Sequence, residues 1–206
     1  MRLERWIGPV FVVAGLLTLG AVLLRRHTER GGLELGLLYA VSRYDQVLPL
    51  LGFGIALAPT SFGTRVLSLL VFAAAIPAGG LFAAWLSAAT SNPLFPLGYV
   101  LAIGPAGALL TGVVLIAPVV MRLWLMPFAA LLCGAGLGLV VDITGASQRD
   151  WYFAAGAILA GCWILGAPVL LCRGVTPAWF PTGSRIFGSW LVAIGAMLAA
   201  LVLIRF

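Results

Sequence analysis

Apart from Glu34, Arg43 and Asp45, charged residues in this chain are confined to the gaps between long apolar runs, and that spacing decides what it can fold into. The first run, Trp6 to Leu24, is bounded by Arg2 and Arg5 before it and by Arg25, Arg26 and Arg30 after it. A hydrocarbon core of ~30 Å is crossed by about 20 apolar residues in a helix. Six further stretches end at arginine, aspartate, proline or a polar cluster. The spacing predicts an all-α, polytopic membrane helix bundle of about seven transmembrane helices, at 6–24, 33–58, 65–87, 97–120, 123–141, 151–172 and 185–204. The 206 residues then form a single transmembrane domain, 1–206, with no extramembrane domain.

Composition excludes the soluble alternative. Hydrophobic residues make up 63% of the chain, charged residues 9%, and the mean hydropathy is +1.15. Six acids and twelve bases cannot cover a globule of this size. All twelve bases are arginine, and they stand singly or in pairs at the ends of apolar runs. There they anchor helices at lipid headgroups, so the partners expected are membrane lipids and not nucleic acid. The arginine bias of the loops does not fix the orientation; the weakly charged loops 87–97 and 142–151 favour an outside C-terminus. The first run is read as a retained anchor, because it is longer than the apolar part of a signal peptide.

The same residues limit the chemistry. One histidine, His27, excludes a two-histidine haem or zinc site within the chain. In the segment RRHTERGG it reads as a solvated loop residue, with a weak site shared with Glu29 as the alternative. Cys133, Cys162 and Cys172 lie inside apolar runs without CxxC spacing and read as packing thiols. No set of residues for general acid-base work is present, so no enzyme activity, cofactor or resident metal is expected. Glycines inside spans point instead to close helix packing. Gly134 and Gly138 form a small-xxx-small pair that lets two backbones approach.

The second span is the unusual one, reading LELGLLYAVSRYDQVLPLLGFGIALA from Leu33 and carrying Glu34, Arg43, Asp45 and Gln46. Pro49 cannot donate to the carbonyl of Asp45, so a helix break is expected there. A carboxylate at depth needs a partner. On a continuous helix Arg43 points away from Asp45, and Glu34 lies roughly 16 Å along the axis. The expected partners of Asp45 are therefore Arg65 or Arg185 on other helices. Two roles stay open for Asp45, Gln46, Glu34 and Arg43: a structural ion pair, or a polar pathway. Asp142, at a helix end near Arg149 and Asp150, reads as an interface residue.

The stretch RYDQVLPLLGFGIALA, Arg43 to Ala58, resembles the first signature of the HupE/UreJ family of hydrogenase and urease accessory membrane proteins. In that signature a Gly-x-Asp-His stretch opens a helix that runs on apolar. The likeness extends in pattern to GTRVLSLLVFAAAIPAGG, to the span around Gly104 and to the terminal RIFGSWLVAIGAMLAALVLI. It implies a polytopic protein of the bacterial inner membrane concerned with nickel or cobalt. The chain departs from the family where the metal would sit. Gln46 replaces a histidine, and Cys133-Gly134-Ala135-Gly136-Leu137-Gly138 stands where the family has a His-Gly-His-Ala-His-Gly type segment. Two functions follow as expectations: a small permease for a divalent metal, or a non-catalytic accessory subunit packed in a larger complex or homo-oligomer.

Overall fold

The computed structural model describes residues 4–24, 31–89, 95–145, 151–172 and 178–205. They form eight α-helices and no strand: α1 (Glu4–Leu24), α2 (Gly32–Ser42), α3 (Tyr44–Leu57), α4 (Phe62–Ala89), α5 (Phe95–Ile116), α6 (Val119–Gly145), α7 (Trp151–Cys172) and α8 (Phe180–Arg205). His27 with Arg25, Arg26, Glu29 and Arg30, and Arg149 with Asp150, lie outside the described residues, as does the side chain of Asp142. Five helical segments are long and apolar enough to cross a membrane: Trp6–Leu24, Phe62–Leu86, Val119–Leu139, Tyr152–Cys172 and Phe180–Ile204.

Several helices extend by a few residues beyond the sequence reading, α8 starting at Phe180 and α6 ending at Gly145, and two connections fall elsewhere than expected. The predicted helix 33–58 is two helices, and the break falls at Arg43 (φ −87°, ψ 87°) and not at Pro49. The Arg43 carbonyl turns back to accept from the amides of Gln46 and Val47 at 3.0 and 2.9 Å, which starts α3. Pro49 then falls close enough to the new N-terminus to be carried inside α3. The second difference lies between α5 and α6, where the connection is at Ala117–Pro118 and not beyond Val120. Proline disfavours helical geometry in the residue before it, so Pro118 stops α5. Arg122 thereby enters the first turn of α6, and its Nε and Nη2 donate to the carbonyls of Val114 and Leu115 at the end of α5.

Contacts between helices set their directions. Gly36 of α2 stands against the Phe153 carbonyl of α7, and Gly54 of α3 against that of Leu165, so α2 and α3 run in succession along α7 and in its direction. Asp45, Pro49 and Gly52 of α3 meet Gly104, Gly107 and Thr111 of α5 in the same order, which makes these two parallel. On α4 and α6, Phe72 meets Gly134 and Ile76 meets Gly138, again in parallel. In contrast, α5 runs against α8, with Gly112 on Gly188 and Leu109 on Gly195, and α1 runs against α7, with Gly8 on Leu170 and Gly15 on Trp163.

The α4–α6, α5–α8 and α2–α7 pairs have the most extensive contacts, and α3 touches α2, α5, α6, α7 and α8. This central place explains the burial of Leu50, Phe53, Ala56 and Leu57. The principal apolar cluster joins them to Phe72, Leu115, Met126, Leu137, Ile164 and Leu191. Outward faces carry exposed Trp6, Leu17, Leu81, Trp124, Trp190 and Leu203, as expected of surfaces solvated by lipid.

Candidate functional site

The break at Arg43 brings together the polar residues of the second span. Side chains two apart on a helix face opposite ways. Because Arg43 is not helical, its guanidinium folds onto Asp45 instead: Nε donates to Oδ1 at 2.8 Å and Nη2 to Oδ2 at 2.6 Å. Such a two-pronged, charge-assisted pair fixes direction as well as distance. The third nitrogen, Nη1, donates to the Tyr39 hydroxyl at 3.0 Å, and the guanidinium carbon stands 5.8 Å from the Tyr39 ring centre. Tyr39 is held in turn by Phe153 of α7, ring centres 5.5 Å apart.

This pair replaces the partners expected from the sequence. Arg65 does not reach Asp45; its Nη2 donates to the carbonyls of Ala58 and Thr60 beyond the end of α3, each at 2.9 Å. Arg185 is exposed at the start of α8. Glu34 stays at the opposite end of α2, where Oε2 accepts from the Gly31 amide at 3.3 Å. An acidic residue in a first helical turn also complements the helix dipole. Arg65 and Arg122 act on the other pole, as cations at the carbonyl ends of α3 and α5.

Next to the ion pair, Gln46 is buried and its Nε2 donates to the Gly136 carbonyl of α6 at 3.1 Å. Asp45, Gln46, Pro49, Leu50, Ile103, Gly104, Gly107, Leu132, Cys133 and Gly136 line a cavity of about 10 Å³. A larger hollow of about 320 Å³ lies on the side of Asp45 that Arg43, Ser42, Tyr44, Pro105 and the α8 residues Leu198, Leu201 and Val202 share. Asp45 thus borders both spaces. Below the small cavity, the hydroxyl of Thr111 and the thiol of Cys133, both buried, stand 3.8 Å apart. Gly104, Gly107, Thr111 and Leu115 recur on α5 at the spacing of one helical face, so a single stripe of α5 is turned to this interior.

Arg43, Asp45 and Gln46 are therefore brought together and Glu34 is not. Tyr39, Thr111 and the cavity glycines escaped the sequence reading as members of the site. Tyr39 had a signal, since it precedes Arg43 by one helical turn. Thr111 had none, because a threonine within an apolar span is common in helix packing. A Cβ at Gly134 or Gly138 would collide with a carbonyl of α4, that of Phe72 or Ile76. Among the described residues no group of three or more histidines, cysteines or carboxylates could hold a metal ion. No protein-family model matches the chain, and no curated protein and no solved structure is significantly similar to it.

Proposed function

We propose that the chain is a seven-span permease for a small cation in a bacterial cytoplasmic membrane, built on a HupE/UreJ-like scaffold. In this reading α2 and α3 make one pass together, beside α7, and α5 makes another. The helix directions support this count: α2–α3, α5 and α7 run one way and α1 and α8 the other, and α6, with α4 beside it, runs against α5, since Ile103 meets Gly136 and Thr111 meets Cys133. The observation that carries the functional reading is the contact between Gln46 and Gly136. Those two positions belong to the two segments where the resemblance places histidines, and they lie far apart in the chain. Their meeting at a cavity lined by Asp45 and Cys133 is what a shared site on such a scaffold requires. A discontinuous helix at mid-span is also the usual device by which transporters expose polar groups to a cargo.

The resemblance names nickel or cobalt as cargo. The test is uptake of Ni²⁺ and Co²⁺, alongside monovalent ions, into liposomes carrying the purified protein. Flux above that of empty liposomes, lowered by Asp45→Asn, supports the permease; absence of any ion flux overturns it. A second reading, the accessory subunit, is favoured by α1: only 11% of its apolar stretch is buried in the fold, and α7 is its principal neighbour. Purification from native membranes in mild detergent separates the two, since a stoichiometric partner bound through α1 belongs to the accessory reading alone.

A further inference from the structure

Gly107, beside Pro49, differs from the glycines at which helices close on one another. Gly36, Gly54, Gly79, Gly134, Gly138 and Gly156 each stand against a carbonyl of a neighbouring helix, so that a Cβ there would collide with backbone. Gly107 does not: a Cβ would lie 3.6 Å from Pro49 Cβ and 3.8 Å from its Cγ, ordinary contact distances. Helix packing leaves room for a methyl group at this position, and the room belongs to the cavity. At Gly104 a Cβ would lie 3.1 Å from Asp45 Oδ2, 3.2 Å from its Cβ and 3.3 Å from its carbonyl oxygen, so the bare Cα of Gly104 lets Asp45 pack closely on α5. Pro49 has no N–H to return to that carbonyl. The amide nitrogen of Gln46 is engaged with Gly136, which leaves its oxygen as the remaining acceptor. The space is lined by Asp45, Gln46 and Cys133 among apolar residues and glycines, and its size of about 10 Å³ matches that of one water.

We infer that this cavity binds one water-sized monovalent cation, a hydronium or a bare sodium ion, and that Gly104 and Gly107 set its size. The inference rests on the permease reading and sharpens its cargo. Oxygen donors select hard cations, whereas nickel and cobalt favour the nitrogen and sulfur ligands that this site largely lacks. Charge points the same way. The Asp45 carboxylate already neutralises Arg43, so any added cation brings uncompensated charge, one unit for a monovalent ion and two for a divalent one. The described polar groups around Asp45 are Tyr39, Ser42 and Arg43 of the α2 end and break, Tyr44 and Gln46 of α3 and Cys133 of α6; α5 presents glycine, Ile103 and Pro105, and α8 presents Leu198, Leu201 and Val202. No second carboxylate stands among these groups.

The experiment uses liposomes carrying the full chain, with a pH-sensitive or a sodium-sensitive dye inside, and compares wild type with Gly107→Ala. The added methyl occupies the cavity without meeting backbone. The expected result is proton or sodium flux in the wild type that falls to the level of empty liposomes in Gly107→Ala, at an unchanged melting temperature. The dye that responds distinguishes hydronium from sodium. Flux that persists in Gly107→Ala, or a variant that is stabilised and still conducts, would show a packing void and overturn the inference. Passage of Ni²⁺ or Co²⁺ alone would keep the permease and remove the monovalent site. If no ion passes, the permease reading falls by itself. The site is then decided by melting temperature when sodium replaces choline or when the buffer is acidified: a shift in wild type absent from Gly107→Ala supports it, and no shift overturns it. Gly104→Ala repeats each measurement should Gly107→Ala fail to fold.

Discussion

The seam between α4 and α6 and the interior between α3, α5 and α6 are both built on glycine, and they use it in opposite ways. At the seam Gly79, Gly134 and Gly138 let main chains touch, each pressed on a carbonyl of the other helix. Lipid tails are as apolar as leucine, so close approach and dispersion hold such a pair together where no hydrophobic drive exists. In the interior Gly104, Gly107 and Gly136 border a space beside charged and polar groups. A missing side chain serves contact at the seam and leaves open room at Gly107, while a Cβ at Gly104 or Gly136 would press first on the Asp45 or Ile103 side chain. The difference is carried by what faces the glycine, not by the glycine itself.

That contrast breaks first at the seam. Gly138→Ala puts a methyl into the Ile76 carbonyl and 3.1 Å from the Gly80 amide nitrogen, and neither backbone atom can yield without moving a helix. Overpacking of this kind costs about 1–3 kcal/mol, and the upper end is expected here because the obstacle is main chain. Thermal unfolding in detergent, followed through the seven tryptophans, should show the largest fall in melting temperature of any variant considered. A Gly138→Ala protein as stable as wild type would mean that the seam is not tightly closed.

Next in size is the ion pair. Arg43 and Asp45 side chains are 26% and 16% exposed, so each is mostly withdrawn from solvent. Arg43→Ala leaves a carboxylate without its two donors, and removing one member of a buried pair costs about 3 kcal/mol, less here for the remaining exposure. The double variant Arg43→Ala with Asp45→Asn removes the uncompensated charge and should regain part of that loss. The shortfall of its loss from the sum of the single losses, read in a double-mutant cycle, measures the coupling. Equal melting temperatures for Arg43→Ala and wild type would show that water already replaces the guanidinium.

How far the sequence disclosed these two regions follows from what each depends on. Span positions were legible because hydrocarbon thickness fixes helix length, and Trp6–Leu24, Tyr152–Cys172 and the core of α8 sit where apolar runs predict. The Gly134–Gly138 seam was legible because a four-residue spacing puts both glycines on one face. The partner of Asp45 was not. The expectation of Arg65 or Arg185 assumed a continuous helix through residue 43, and one non-helical residue reverses the direction of Arg43. Hydropathy is blind to that break, since the residues on either side of Ser42 to Gln46 remain apolar. Gly104 and Gly107 carried no mark either, because the facing residues, which lie on α3, determine whether a glycine closes a seam or opens a space.

A smaller effect is expected at Arg122. Its guanidinium holds the carbonyls of Val114 and Leu115, which α5 leaves without amide partners at its end. Arg122→Gln keeps one donor group and loses the charge that complements the helix dipole, a change of about 1 kcal/mol. Hydrogen exchange should report it locally, with faster exchange in the last turn of α5 and an unchanged rate at the middle of α7. Uniform acceleration throughout the bundle would place Arg122 in the global stability instead.

The smallest expected effect lies at Gly20 of α1, which separates a third kind of glycine from the two compared above. A Cβ at Gly20 would meet nothing within 4 Å, so this residue neither closes a seam nor borders the cavity. Alanine is the better helix former by about 1 kcal/mol in an exposed helix interior, because glycine leaves more backbone freedom to be lost. Gly20→Ala should therefore leave the melting temperature unchanged or raise it slightly, and ion flux should match that of wild type. The substitution also distinguishes lipid from protein on this face. If α1 lies open to acyl chains, a methyl is accommodated without consequence; if a partner protein is seated against Gly20, the same methyl lowers recovery of that partner from native membranes while the isolated chain keeps its stability. Co-purification with Gly20→Ala and wild type, compared at equal expression, reads the difference directly.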